Sequence, residues 1–217
     1  MSIPRILVSV PNYHAVEPYP FIHFLILSQE TGRAELEGRY AVCWMVGGPK
    51  VKIIPVREGA VRIAQQKGCS HLLQIDDDMV CPQKLIDHLL ADDVDIVVPL
   101  FFTAGPPIKP LCFESGTNGR PVPIWDYPKK ALFECSGGVG TGVMLVKMEV
   151  FKAMESPYFR PTLDLTIGED IDFCRRAMLL GFKCWCDSRI LVRQMACQTP
   201  IGEEDYSKAT WGLTEQL

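Results

Sequence analysis

The arrangement that most restricts the fold of this chain lies in its first hundred or so residues, where strand-like runs alternate with helix-length stretches. Residues 5–10 are a β-branched run closed by Pro11-Asn12, as expected of a buried strand that ends in a loop. A helical stretch at 19–29, stopping near Thr31-Gly32, separates it from a second strand at 40–46, which Gly47-Gly48-Pro49 ends. Residues 57–67 predict a helix with Val56, Ala60, Ile63 and Ala64 on one face and Gly68 as its stop. A third strand at 71–75 runs directly into Asp76-Asp77-Asp78. Pro82 then opens a helix as far as Leu90, and residues 95–100 form a fourth strand. This spacing makes βαβ units, hence an α/β chain with a doubly wound, mostly parallel sheet and helices on both faces. In such sheets ligands bind beyond the carboxyl ends of the strands. The three aspartates stand at one of those ends, so topology alone places them in a binding crevice.

The second half changes character. Residues 105–120 are rich in Gly and Pro, and short strand-like pieces follow at 122–127 and 131–135. A glycine-rich stretch at 136–142 precedes a strand at 143–146, a helix at 149–154 and another at 169–180, closed by Gly181. With no repeat and no evident linker, residues 1–217 read as one domain.

Composition excludes some classes. A net charge of −4 argues against a dedicated nucleic-acid binder, which needs a basic surface to track phosphates. The most apolar segment, residues 21–27, is far short of the roughly 20 residues of a spanning helix. No signal peptide is expected, since the N-terminus leads straight into a strand. The nine cysteines include no Cys-x-x-Cys pair, and their odd number makes no disulfide framework. Cys184 and Cys186 flank Trp185 and would face one side of a strand, as two core thiols. A reducing, cytoplasmic compartment is therefore expected.

Three adjacent carboxylates repel one another, and a hard divalent cation such as Mg²⁺ or Mn²⁺ offsets that charge while it also binds phosphate oxygens. The same acids could instead favour the start of the helix opening at Pro82. Thr166, Gly168, Glu169 and Asp170 leave a similar choice open. Thr166 and Glu169 are spaced as a capping box, yet a carboxylate fixed at a helix start also suits a general base. Residues 137–142 match neither the P-loop nor the dinucleotide fingerprint, because a strand follows where those motifs require a helix. Arg57 is either a surface cation or a contact to a diphosphate from the same crevice. All four histidines precede residue 89, and no nucleophile elbow occurs.

In this order the pieces resemble the GT-A glycosyltransferases, family 2-like enzymes in particular: Val10-Pro11-Asn12-Tyr13, Arg57, Ile75-Asp76-Asp77-Asp78-Met79, Gly140-Thr141-Gly142, and the run from Gly168-Glu169-Asp170 to Ala177. The resemblance spans residues 5–206 and implies a GT-A (Rossmann-like) fold. About residues 1–100 would be the nucleotide-sugar-binding half and about 101–217 the acceptor-side half. It implies a metal-dependent, inverting transferase that moves a sugar from a nucleoside-diphosphate sugar to a hydroxyl of a saccharide, lipid-linked or protein acceptor. Asp76 and Asp78 take the places of the family's Asp-x-Asp motif, which holds the donor diphosphate through Mn²⁺ or Mg²⁺. Asp170 takes that of the catalytic base. Pro11, Asn12, Tyr13, Arg57 and Asp77 fall on the donor side, and Gly140, Thr141, Gly142 and Glu169 on the acceptor side.

Two departures stand out. Val46-Gly47-Gly48 replaces an acidic residue that recognises the base, and Gln194 stands where many relatives carry a metal-binding histidine. Two other readings compete: a nucleotidyltransferase, and a catalytically degenerate sugar-nucleotide-binding protein. No transmembrane segment is expected, although peripheral attachment to a membrane that holds a lipid-linked acceptor stays compatible with the sequence.

Overall fold

In the computed structural model, residues 3–12, 16, 18–47, 52–117, 119–162, 167–196 and 199–206 are described. The first strand, β1 (Arg5–Val10), is buried from Ile6 onward, as its β-branched composition requires of a strand covered on both faces. Helix α1 (Pro18–Leu36) returns the chain to β2 (Ala41–Val46), and α2 (Ile53–Gln66) returns it to β3 (His71–Ile75). β4 (Met79–Val80) follows the aspartates, then α3 (Leu85–Ala91) and β5 (Ile96–Leu100).

The second half supplies β6 (Cys112–Ser115), β7 (Pro121–Pro123), β8 (Leu132–Glu134), β9 (Gly138–Val139) and β10 (Val143–Lys147). After these come α4 (Met148–Ala153), α5 (Glu169–Leu179), β11 (Cys184–Leu191), β12 (Arg193–Ala196) and β13 (Thr199–Ile201). The main sheet has the order β2-β1-β3-β10-β5-β11-β8. β1, β2 and β3 are mutually parallel, and β5 and β11 run the same way; β10 and β8 are antiparallel to their neighbours. A mostly parallel sheet flanked by helices, as expected of a Rossmann-like GT-A chain, is therefore what forms. Two small sheets, β13-β12-β4 and β7-β6-β9, stand beside it.

Two consequences of this order build the site. β10 enters between β3 and β5, pairing Val143 with Ile75, so the backbone N–H of Asp76 donates to Gly142 O at 2.8 Å. β12 pairs antiparallel with β4, Gln194 opposite Met79, so the N–H of Met195 donates to Asp78 O at 2.9 Å. The aspartate turn is thus clamped from both sides by segments more than sixty residues further along the chain.

Several boundaries differ from the sequence reading. α1 does not stop at Thr31-Gly32. Gly32 lies on an open face of the helix, where glycine costs only about 1 kcal/mol relative to alanine. The stop is Gly38, at φ +69, whose N–H bonds Glu35 O. α2 begins at Ile53, so Arg57 lies within the helix and not at its start. Pro55 is tolerated there because first-turn N–H groups lack intrahelical acceptors. The helix after Pro82 starts only at Leu85, and the strands expected at 122–127 and 131–135 shrink to three residues each. Cys184 and Cys186 are both buried core residues of β11, as their spacing suggested. The N-cap of α5 is Gly168, and Glu169, as its first residue, engages Arg57; Thr166, the other half of the capping-box reading, lies outside the described residues.

Candidate active site

The site is organised by one buried arginine. α2 packs against β1 and β3 through Val56, Ala60, Val61 and Ala64, which turns Arg57 inward toward the end of β3. Its side chain is 3% exposed. Arg57 Nη2 donates to Asp76 Oδ1 at 3.1 Å and Oδ2 at 3.3 Å, while Nη1 donates to Glu169 Oε1. The guanidinium also lies 5.9 Å from the centre of the Phe159 ring, a cation–π contact. One cation therefore joins the aspartate turn to the first turn of α5, two segments that the sequence separates by more than ninety residues.

Burial dominates the electrostatics. It pushes the Asp76 carboxyl up to about 7, with Asp78 and Asp77 adding to the effect and Arg57 opposing it. Asp78 is also raised by burial; the Gln194 amide opposes this and the charge of Asp77 adds to it. Gln194 Nε2 donates to Asp78 Oδ2 at 2.9 Å, whereas Asp78 Oδ1 is buried without a partner. Asp170 is raised above the usual carboxylate range by burial; the Ile171 N–H lowers it, the Glu169 charge raises it and Arg57 lowers it. Asp170 Oδ1 accepts the Ile171 N–H at 2.8 Å. That carboxylate folds back over the helix start, where a Cβ at Gly168 would collide with Asp170 Oδ1.

The remaining residues singled out in the sequence fall as follows. Pro11 and Asn12 leave β1 at its carboxyl end. Gly47 lies against them, its Cβ position 3.2 Å from Asn12 N and 3.3 Å from Val56 Cγ1. Asn12 Oδ1 is buried and unpartnered. Tyr13 and Thr166 lie outside the described residues. Thr141 is buried, and the glycines beside it serve close packing. A Cβ on Gly142 would meet Phe101 Cε2 at 2.8 Å and Met79 Cε at 3.1 Å, and one on Gly140 would meet Leu111 Cβ at 3.1 Å.

Two further residues belong with the site. Gln74, on the strand face of Asp76 two positions earlier, is 1% exposed with neither amide atom bonded. A polar residue interrupting the run HLLQI is the sequence signal for it. Glu58 accepts the Phe159 N–H at 2.6 Å and so holds the ring beneath Arg57. Nothing in the sequence marks that contact.

The unpartnered buried atoms converge here. Among the described residues they are Asn12 Oδ1, Arg57 Nε, both amide atoms of Gln74, Asp78 Oδ1 and Asp92 Oδ2. All but the last lie at the carboxyl ends of β1 and β3 or on the helix covering them. Buried polar atoms are normally bonded to protein, ordered water or a ligand, so this concentration makes the place the candidate site for a polar ligand. No three His, Cys, Asp or Glu side chains among the described residues are arranged to hold a metal ion. Asp76 is engaged by Arg57 and Asp78 Oδ2 by the Gln194 amide, while Asp78 Oδ1 is buried without a partner. That oxygen fits a cation whose other ligands are water and phosphate, as is usual for Mg²⁺.

No protein-family model and no curated protein sequence matches the chain. Solved structures do. A197 from STIV superposes with a TM-score of 0.61 over 93% of this chain and 91% of its own, at 16% identity. A UDP-glucose pyrophosphorylase complexed with UDP-glucose superposes with a TM-score of 0.53 over 99% of this chain and 100% of its own, at 11% identity. The likeness is one of fold: a doubly wound, mostly parallel sheet of the Rossmann-like GT-A kind. At these identities the likeness concerns fold alone, and the chemistry has to be argued from the residues. Among the described residues no helix is long and apolar enough to cross a membrane.

Proposed function

We propose that this chain is a glycosyltransferase of the family 2-like kind, which takes a sugar from a nucleoside-diphosphate sugar and passes it to a hydroxyl acceptor with inversion. The observation that carries this reading is the group of unpartnered buried atoms on Asn12, Arg57, Gln74 and Asp78, gathered where an open α/β sheet binds ligands. Pro11 and Asn12 serve the nucleoside, the role the sequence also assigns to Tyr13, and Asp76, Asp77 and Asp78 serve the diphosphate. Mn²⁺ or Mg²⁺ bound by Asp78 together with the diphosphate would supply charge neutralisation on the leaving phosphate. Gln194 holds Asp78 in place, and Arg57 and Glu169 hold the two halves of the site together.

Asp170 is the base. Its burial makes the carboxylate a better proton acceptor than an exposed aspartate, and its place at the start of α5 fixes its direction. It withdraws the proton from the acceptor hydroxyl as that oxygen attacks the anomeric carbon. On this reading residues up to about 100 serve the donor, and the segments around Gly140-Thr141-Gly142 and α5 serve the acceptor. The likeness to a UDP-glucose pyrophosphorylase keeps nucleotidyl transfer as the rival chemistry on the same fold.

The test is incubation with a panel of nucleotide sugars and Mn²⁺, following free nucleoside diphosphate. Asp170→Asn should lower that release about 10²–10⁴-fold, the usual contribution of a general base, while donor binding is retained. Pyrophosphate formed from a nucleoside triphosphate would assign nucleotidyl transfer instead. Donor binding without turnover would leave a sugar-nucleotide-binding protein.

A further inference from the structure

Helix α1 is apolar on two sides, and only one of them is covered among the described residues. Its inner side, with Pro20, Leu27, Thr31 and Ala34, is buried where the helix packs on β2 and β4. On the outer side Tyr19, Phe21, Ile22 and Leu25 are each 45–52% exposed, and Leu36 is 91% exposed. A helix with apolar residues all round is normally covered all round. The outer stripe runs Pro18, Ile22, Leu25, Gln29, Gly32, Leu36, at alternate spacings of four and three residues. All six are exposed and none is charged. Two helices pack knobs into holes along a stripe of this period.

The stripe is also its own complement. Reversed end to end about position 27, it sets Ile22 opposite Gly32, Leu25 opposite Gln29 and Pro18 opposite Leu36. No atom lies within 4 Å of the place a Gly32 Cβ would take. That position is therefore a hollow on the helix surface, and Ile22 is a knob of the size to enter it. A two-fold contact needs this self-complementarity. At roughly 200 Å² per large side chain, the exposed fractions amount to about 600 Å² in each copy. A pair would bury about 1,200 Å², the lower end of a stable interface. A lipid surface fits less well, because interfacial helices carry Lys and Arg opposite their apolar face. α1 has Arg33 as its one such residue, and its opposite face is buried in the chain. We propose that the outer face of α1 joins two copies of this chain as an antiparallel, two-fold dimer, Ile22 of each entering the hollow at Gly32 of the other. The first turn of α1 follows the carboxyl end of β1, so this pairing directs the two candidate sites away from one another.

The test is sedimentation equilibrium of the whole chain across the micromolar range, where a contact of this size is expected to associate. The wild type should pass reversibly from monomer to dimer as concentration rises. Leu25→Glu should raise the dimer Kd about tenfold or more, since the dimer carries the change twice in one contact. Gly32→Leu tests the arrangement. It adds apolar surface and helix propensity on an open face, so the monomer should melt no lower. It also fills the hollow, so Kd should again rise about tenfold. Adding Ile22→Ala to Gly32→Leu should recover part of that loss. A chain that stays monomeric throughout, a dimer indifferent to Leu25→Glu, or one that Gly32→Leu leaves unchanged or tightens would each overturn the proposal. So would binding of the monomer to phosphatidylcholine–phosphatidylglycerol vesicles that Leu25→Glu abolishes, which would assign the face to a lipid surface.

Discussion

Replacing Arg57 by Met tests the organisation of the site most directly. Methionine keeps an unbranched apolar stem against Phe159 but removes the cation, and with it the hydrogen bonds to Asp76 at 3.1 and 3.3 Å and the bond to Glu169. Two carboxylates, each 23% exposed, are then left facing one another with nothing between them. Removing one partner of a buried ion pair costs about 3–5 kcal/mol. Partial exposure of both acids places this case near the lower end, about 3 kcal/mol at alkaline pH. For a chain of this size each kcal/mol moves Tm by about 2–4 °C, so a fall of roughly 6–12 °C is expected.

The loss should also depend on pH. Asp76 takes up a proton at about pH 7, so well below that value it is neutral with or without Arg57 and needs no cation. Differential scanning fluorimetry in EDTA, at about pH 8 and about pH 5, should show a clearly smaller deficit in acid. Arg57→Met combined with Asp76→Asn should recover part of the alkaline loss. A fall below about 2 °C, or the same fall at both pH values, would refute the idea that Arg57 is held by charge.

Three further outcomes follow from other contacts. Asp92 is raised to about 6 by burial and by neighbouring Asp187 against the pull of Arg189, and its unfolded value is lower. The folded state binds the extra proton, so stability falls as pH rises from about 4 to about 6, by up to about 3 kcal/mol. Asp92→Asn should flatten that slope in a Tm–pH series, and an unchanged slope would remove Asp92 as its source. Gly142→Ala should cost about 1–3 kcal/mol in urea unfolding, because its Cβ would press on Phe101 and Met79; a neutral result would mean that the strand shifts freely. Gln194→Ala strips Asp78 of its amide donor and should cost about 1–3 kcal/mol, with nucleotide-sugar binding weakened more in acid than in alkali. Equal weakening at both pH values would separate Gln194 from the ionisation of Asp78.

How much of this was legible in the chain itself depends on range. The run RILVSV, the run HLLQI ending in three aspartates and the periodic helix around Ala60 declare themselves locally, because strand burial and helix amphipathicity are written at periods of two and 3.6 residues. They were enough to place Asp76 at the carboxyl end of a strand in a doubly wound sheet. Gly168, Glu169 and Asp170 at the start of a helix were legible in the same way. The stop of α1 was misplaced at Gly32 because a glycine on an open helix face and one at a helix end look alike until φ is known.

What only tertiary structure decided is which side chains meet. The antiparallel entry of β10 beside β3, the pairing of β12 with β4, and the Arg57 bridge from Asp76 to Glu169 join residues far apart in the chain, through strand order and burial that no local pattern encodes. The same holds for the unpartnered Gln74 amide. A sequence names the charged and polar groups a site can use. Packing settles which of them lose water, and that loss raises the carboxyls of Asp76, Asp78 and Asp170.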